Sequence, residues 1–289
     1  MTAQFFDFGD VTIHAEVTGD EGAPLAILLH GFPDTPATFR HLAPELQRAG
    51  YRVATPSLRG YAPSSLAKDD NYQIVATAHD ALRLRDALGG DERSVLIGHD
   101  WGAAAAYSAL GVAPDAWRKA VTMAVPPLLL MMQAFTTYDQ LRASWYMYFF
   151  RNALSELVVP MDDYAFIDRL WADWSPGFDS REDAARVKQA LGTPERLVAA
   201  LSFYRSIDDP GVKNPEHNAL RDASFAVTPV PTLYLHGAND GCILPSTAAG
   251  ATSLLAPGSR EEYVEGAGHF LHLEKPSEVN ALIVEWLGA

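Results

Sequence analysis

Ser94-Val95-Leu96-Ile97-Gly98-His99-Asp100-Trp101-Gly102-Ala103-Ala104-Ala105-Ala106 decides how the rest of the chain is read. A short strand-forming run leads directly into a small, apolar helical stretch, and an aspartate flanked by glycines stands at the junction. A strand that reverses into a helix within two residues strains its apex, and neighbouring glycines remove the Cβ atoms that would clash there. The apex side chain is pushed outward alone, which is the place for a nucleophile. Serine is the usual apex residue and attacks acyl carbons; a carboxylate suits attack on a saturated carbon and leaves an alkyl ester on the enzyme. Asp100 is therefore the candidate nucleophile.

The chain around this turn alternates strands and helices. Residues 11–17 alternate as a half-exposed strand does, and 25–29 form a continuous apolar run suited to a strand covered on both faces. Helix patterns over 39–49 and 74–88 and strand patterns over 52–55, 94–97 and 120–123 complete the first half. From Pro126 the strand rhythm stops for about a hundred residues, and aromatic residues at helical spacing take over. Strand patterns return at 231–235 and 262–264, and 276–287 is an amphipathic helix. This succession predicts an α/β fold with a mostly parallel, doubly wound sheet, whose ligands bind beyond the carboxyl ends of the strands. The expected division is a core domain of residues 1–125 and 226–289 and an inserted helical cap over 126–225, which would shield the site from water.

Composition narrows the partners. At 289 residues the chain is long enough for one large core with a lid, and 48% apolar with 20% charged residues marks a soluble globular protein. The 22 basic against 36 acidic residues leave a net charge of −14, which repels phosphate backbones, so no nucleic-acid partner is expected. The first residues lack the basic segment and apolar core of a signal peptide, and the longest apolar run, 124–132, contains two prolines; no membrane partner is expected. Cys242 is the single cysteine, so no intrachain disulfide forms and a cytoplasmic setting is expected.

Turnover through an alkyl ester calls for a base that activates water, an acid that orients the base, and donors for a tetrahedral oxyanion. Asp240 and His269 each follow a strand pattern and sit in loops at the edge that carries Asp100. Asp240 is the candidate acid and His269 the candidate base, with His272 as the rival for the base. The amides of Trp101 and of Phe32, in His30-Gly31-Phe32-Pro33, are the candidate oxyanion donors. A cis Phe32-Pro33 bond would aim the Phe32 amide into the site, whereas trans is the commoner state of such bonds, and the sequence is compatible with both. The Trp101 indole either faces the leaving atom or packs beneath the cap. His30, His99 and the loop 58–64 are read as scaffold, and Cys242 as a packed neighbour of the acid.

Taken together, His30-Gly31-Phe32-Pro33, Arg59-Gly60-Tyr61, Gly98-His99-Asp100-Trp101-Gly102, Asp240 and Gly266-Ala267-Gly268-His269 resemble the epoxide hydrolases of the α/β-hydrolase superfamily. The order nucleophile, acid, histidine is the order that superfamily uses. The resemblance implies an α/β-hydrolase fold and an epoxide hydrolase with no metal and no organic cofactor, taking a small hydrophobic epoxide and water; a homodimer stays open. It further implies that Tyr146 and Tyr204, in the stretches 144–149 and 201–205, hold the epoxide oxygen through their phenols, Tyr148 replacing Tyr146 if the register shifts. Trp101, Phe32, Tyr148 and Trp145 are then expected along the substrate. Asp34 stands where many relatives show Glu, and Phe39 where Trp is frequent, which bears on pocket shape. Haloalkane dehalogenases share the Asp-Trp elbow but need a second nitrogen donor for halide; one subgroup has Asn where this chain has Phe32, and another uses a cap tryptophan, for which Trp145, Trp171 and Trp174 are candidates. Fluoroacetate dehalogenases carry Arg where this chain has Trp101. A non-catalytic ligand-binding protein would have no need of nucleophile, acid and base together.

Overall fold

Continuous apolar runs flanked by helices become strands buried on both faces. In the computed structural model, whose described residues are 2–209 and 211–288, eight strands form one sheet. Met1, Pro210 and Ala289, which fall within the expected core and cap ranges, lie outside the described residues. The strands are β1 Thr2–Asp7, β2 Thr12–Thr18, β3 Leu25–Leu29, β4 Arg52–Pro56, β5 Val95–His99, β6 Lys119–Met123, β7 Thr232–Gly237 and β8 Arg260–Val264, in the spatial order β1-β2-β4-β3-β5-β6-β7-β8. β1 pairs with β2 and β2 with β4 antiparallel, and every later pairing is parallel. Every residue of β3, β5 and β7 is buried, as expected for parallel strands covered on both sides.

The helices are α1 Leu42–Arg48, α2 Ile74–Ala87, α3 Trp101–Val112, α4 Leu128–Ala134, α5 Tyr138–Ala143, α6 Trp145–Phe150 and α7 Leu154–Val158. They continue as α8 Met161–Trp174, α9 Arg181–Ala190, α10 Pro194–Arg205, α11 Asn218–Ser224, α12 Leu271–Glu274 and α13 Pro276–Gly288. One face of the sheet packs Phe39, Leu42 and Leu46 against Ile283, Trp286 and Leu287. The other packs α2 and α3, and its apolar core continues without a break into α6, α8 and α10.

Two local expectations need correction. β1 carries no strand pattern in the sequence reading because it is an edge strand whose residues are mostly exposed, so alternation is weak there. The single helix expected over 39–49 is split into a 3-10 turn, Pro36–Arg40, and α1, with His41 at the junction. Helices α4 to α11 occupy the chain between β6 and β7, but α11 lies on the core: Ser108 and Ser224 hydrogen-bond through their hydroxyls, and a Cβ on Gly111 would meet Ala223.

Candidate active site

The β5–α3 turn holds Asp100 at φ 52°, ψ −118°, a region that residues with a Cβ seldom occupy. Such a turn needs neighbours without side chains. A Cβ on Gly102 would overlap the Leu29 carbonyl oxygen, and one on Gly31 would run into the Asp100 carboxylate itself. Because Gly31 leaves that space open, the Phe32 amide donates to Asp100 Oδ1 at 2.7 Å. The Phe32-Pro33 bond is cis. Trp101 opens α3 directly after the carboxylate.

Asp240 and His269 stand at the ends of β7 and β8, beside Asp100. His269 Nδ1–H donates to Asp240 Oδ2 at 2.9 Å, and its Nε2 lies 3.5 Å from Asp100 Oδ2. The second Asp240 oxygen accepts from the amides of Cys242 (2.7 Å) and Ile243 (3.0 Å), which fixes the carboxylate. His272, the rival base, points elsewhere: its Nε2 pairs with the Thr38 hydroxyl. His99 Nε2–H donates to the His269 carbonyl at 2.9 Å, and His30 receives the Leu58 amide while bonding the Gly31 carbonyl, so both hold backbone.

Burial would raise the Asp100 carboxyl, but the hydrogen bond and charge of His269, with the Phe32 amide, hold it below the ordinary carboxylate range. His269 shifts the other way: burial opposes its charge, yet Asp240 and Asp100 hold it well above an ordinary histidine. The pair is coupled, so neutralising the carboxylate takes away part of what keeps the imidazole charged. Burial also pushes the phenols of Tyr146 and Tyr204 well above the usual tyrosine range, and both stay protonated donors.

A cavity of about 430 Å³ opens on Asp100 and is lined by Trp101, Tyr146, Phe203 and Tyr204 together with Leu128, Met131 and Phe135. The Tyr146 and Tyr204 rings meet edge to face at 5.8 Å between centroids. The Trp101 indole N–H is buried with no hydrogen-bond partner among the described residues. Phe32 contributes through its amide, since its ring is buried edge-on against Phe150 and Tyr204. The expectation that Trp145 and Tyr148 contact substrate is corrected: both are 49% exposed and neither lines the cavity. Helical phase is the reason. Tyr146 and Phe150, four residues apart on α6, face inward, which turns positions 145 and 148 outward. Trp171 donates its indole N–H to the Pro33 carbonyl at 3.0 Å, so that donor is already engaged.

Backbone contacts that no local sequence pattern connects hold the site together. The end of α8 inserts between the two loops: the Trp174 carbonyl accepts from the amides of both His269 (3.0 Å) and Gly241 (3.2 Å). A Cβ on Gly241 would overlap the Asp173 carbonyl, and one on Gly268 would press on Trp174 and Ser175. Those glycines were the available signal, since each marks a close backbone approach. Ser175 accepts from the Phe270 amide at 3.1 Å and donates to Glu274, whose other oxygen takes the Gly268 amide at 2.9 Å. His236 supports the acid loop by donating to the Ile243 carbonyl at 2.9 Å.

Among the described residues, two groups bring three metal-type ligand atoms within 4.8 Å of one another: Asp34 with His99 and His272, and Asp240 with Cys242 and His269. The second is occupied by the hydrogen bond between acid and base. In the first, burial raises the Asp34 carboxyl well above its ordinary range, pushes His99 down to about 3 and holds His272 well below an ordinary histidine, so burial works against charge on all three.

Comparison with known proteins gives the same outline. Residues 24–276 match the alpha/beta hydrolase fold family. The chain is 31% identical to AB hydrolase superfamily protein YfhM of Bacillus subtilis, covering 99% of this chain and 98% of that protein. It is 30% identical to Epoxide hydrolase A of Mycobacterium tuberculosis, over 99% and 97%. The crystal structure of Epoxide Hydrolase A from Mycobacterium thermoresistibile superposes with a TM-score of 0.80 at 25% identity, over 100% of this chain and 98% of that one.

Proposed function

The chain belongs to the alpha/beta hydrolase fold family, and from that premise we propose that it converts epoxides and water to vicinal diols through an alkyl ester on Asp100. The observation that carries the reading is that one cavity is bounded by an elbow carboxylate and by two buried, protonated phenols, with a histidine–aspartate pair behind the carboxylate. The relatives named epoxide hydrolase support it.

In this reading Asp100 Oδ2 attacks an epoxide carbon, and the electron pair of the breaking C–O bond moves onto the epoxide oxygen. Tyr146 and Tyr204 hold that oxygen and supply its proton, because an unassisted alkoxide leaves a saturated carbon poorly. Ester formation removes the Asp100 charge that had helped keep His269 protonated, so the imidazole becomes free to act as a base. His269, held by Asp240, then takes a proton from water, and the hydroxide adds to the ester carbonyl. The Phe32 amide already sits 2.7 Å from Asp100 Oδ1, and with the Trp101 amide it receives the oxyanion. Collapse releases the diol with one oxygen taken from Asp100. The helical insertion from residue 126 through α10 acts as the cap that carries both phenols and encloses the reaction, and the buried lone cysteine suits a cytoplasmic setting.

Two phenols favour an epoxide oxygen over a halide. Of the three tryptophans considered as halide donors, Trp145 and Trp174 do not line the cavity and the Trp171 N–H is bonded to Pro33. Incubation with a panel of epoxides and haloalkanes tests the choice: diol release without halide release is expected, and halide release without diol would reverse it.

A further inference from the structure

We infer that Cys242 is a positioning residue for ester formation: its thiol donates to the Tyr146 phenol oxygen, leaving the phenol's own hydrogen for the epoxide oxygen. The inference rests on the epoxide reading above and adds a residue to it.

Cys242 Sγ lies 3.2 Å from Tyr146 Oη, and both side chains are buried. Burial pushes the thiol up to about 11, so sulfur keeps its proton throughout the neutral range. Either group could in principle donate. A phenol oxygen is a better acceptor than sulfur, and a phenol that spent its hydrogen on sulfur would have none to offer the cavity. With S–H as donor, the phenol accepts from one side and donates to the other.

The thiol is held firmly. The Cys242 amide donates to Asp240, and the Cys242 carbonyl accepts from Gln140 Nε2 at 3.0 Å. Gln140 Oε1 takes the Leu244 amide at 2.9 Å, and Gln140 Nε2 also donates to Ser144 Oγ at 2.8 Å, two residues before Tyr146. The turn that orients the acid therefore also reaches the helix of the first phenol, and Cys242 is the point of contact.

The proton balance closes. As the epoxide C–O bond breaks, Tyr146 gives its hydrogen to the oxygen that receives the electron pair, and negative charge grows on the phenol oxygen. The thiol hydrogen faces that charge and stays on sulfur. The imidazolium proton of resting His269 restores Tyr146 once the ester has formed; His269 then takes one proton of the hydrolytic water and the other passes to the departing diol oxygen, leaving Asp100 ionised and His269 protonated again.

A double-mutant cycle read in single turnovers tests the inference, using the epoxide that wild type turns over fastest. Cys242→Ala should slow ester formation about tenfold in the Tyr146 background and by less than about twofold in the Tyr146→Phe background, because the two residues act through one contact. Ester hydrolysis should be slowed clearly less than ester formation, and Cys242→Ser, which keeps a donor, should recover most of the lost rate. Equal slowing in both backgrounds, equal slowing of both half-reactions, or no recovery by serine would overturn the inference and leave the thiol as packing. If Cys242→Ala does not fold, Cys242→Val takes its place in the cycle against the same serine variant. Absence of ester formation in wild type with every epoxide would instead overturn the epoxide reading, and this inference with it.

Discussion

Asp100 and His269 share a charge, and that coupling makes the two half-reactions respond differently to acid. The carboxyl is held below its ordinary range, so it stays ionised, and ester formation should persist, well into mildly acidic solution. Hydrolysis needs the imidazole neutral while Asp240 still faces it, so it protonates as pH falls and ester hydrolysis should fail first. Rapid-mixing single turnovers should therefore show ester accumulating at about pH 5 and not at about pH 8, near and above the ordinary histidine range; equal slowing of both steps would contradict this. Tyr146→Phe and Tyr204→Phe should each slow ester formation by about 100-fold while leaving its hydrolysis nearly unchanged, the scale of losing one preorganised donor. Asp100, Asp240 and His269 were legible in the sequence because glycines and strand ends mark their turns. The choice among Trp145, Tyr146 and Tyr148 was not. Nearly every residue from 145 to 150 is aromatic, so apolar periodicity gives no phase there, and packing against Trp174 and Tyr204 decides which ring turns inward.

The end of α8 is the element on which the geometry depends most. One carbonyl, that of Trp174, bonds both the Asp240 loop and the His269 loop, and Gly268 and Gly241 leave the space for it. Gly268→Ala should push Trp174 and Ser175 away, lower thermal stability by about 1–3 kcal/mol and slow ester hydrolysis more than ester formation, since His269 is the residue displaced. Differential scanning calorimetry with single-turnover kinetics checks this, and a variant with wild-type melting and wild-type hydrolysis would contradict it. The strands and the amphipathic helices could be read locally because burial on one or both faces writes a period into the sequence. The docking of α8 could not, since it joins residues 174, 241 and 269 that no local pattern connects. β1 was missed for the opposite reason: a strand on the solvent edge needs no apolar face.

Across the whole molecule, the first half of the core is tied down by charge as well as by apolar packing. Arg59 is buried and donates to both oxygens of Asp80 (2.7 and 2.9 Å) and to the Asn71 carbonyl, while Asp10 bridges Arg59 and Arg83. Asp80→Ala would leave a buried guanidinium short of its main partner and should cost about 3–5 kcal/mol, read as a lower melting temperature with little change in rates per folded molecule. An unchanged melting temperature would contradict this placement of Arg59. The loop carrying Arg59 was read as scaffold, but its partners in α2 and before β2 are set by the fold. Two halves of a sheet and the helices between them thus serve a single turn. The most direct test of that turn is a single turnover in heavy-oxygen water with enzyme in excess, followed by mass spectrometry of the diol and of the Asp100 peptide. The account predicts an unlabelled first-turnover diol and label in Asp100; label in the diol with none in Asp100 would contradict it.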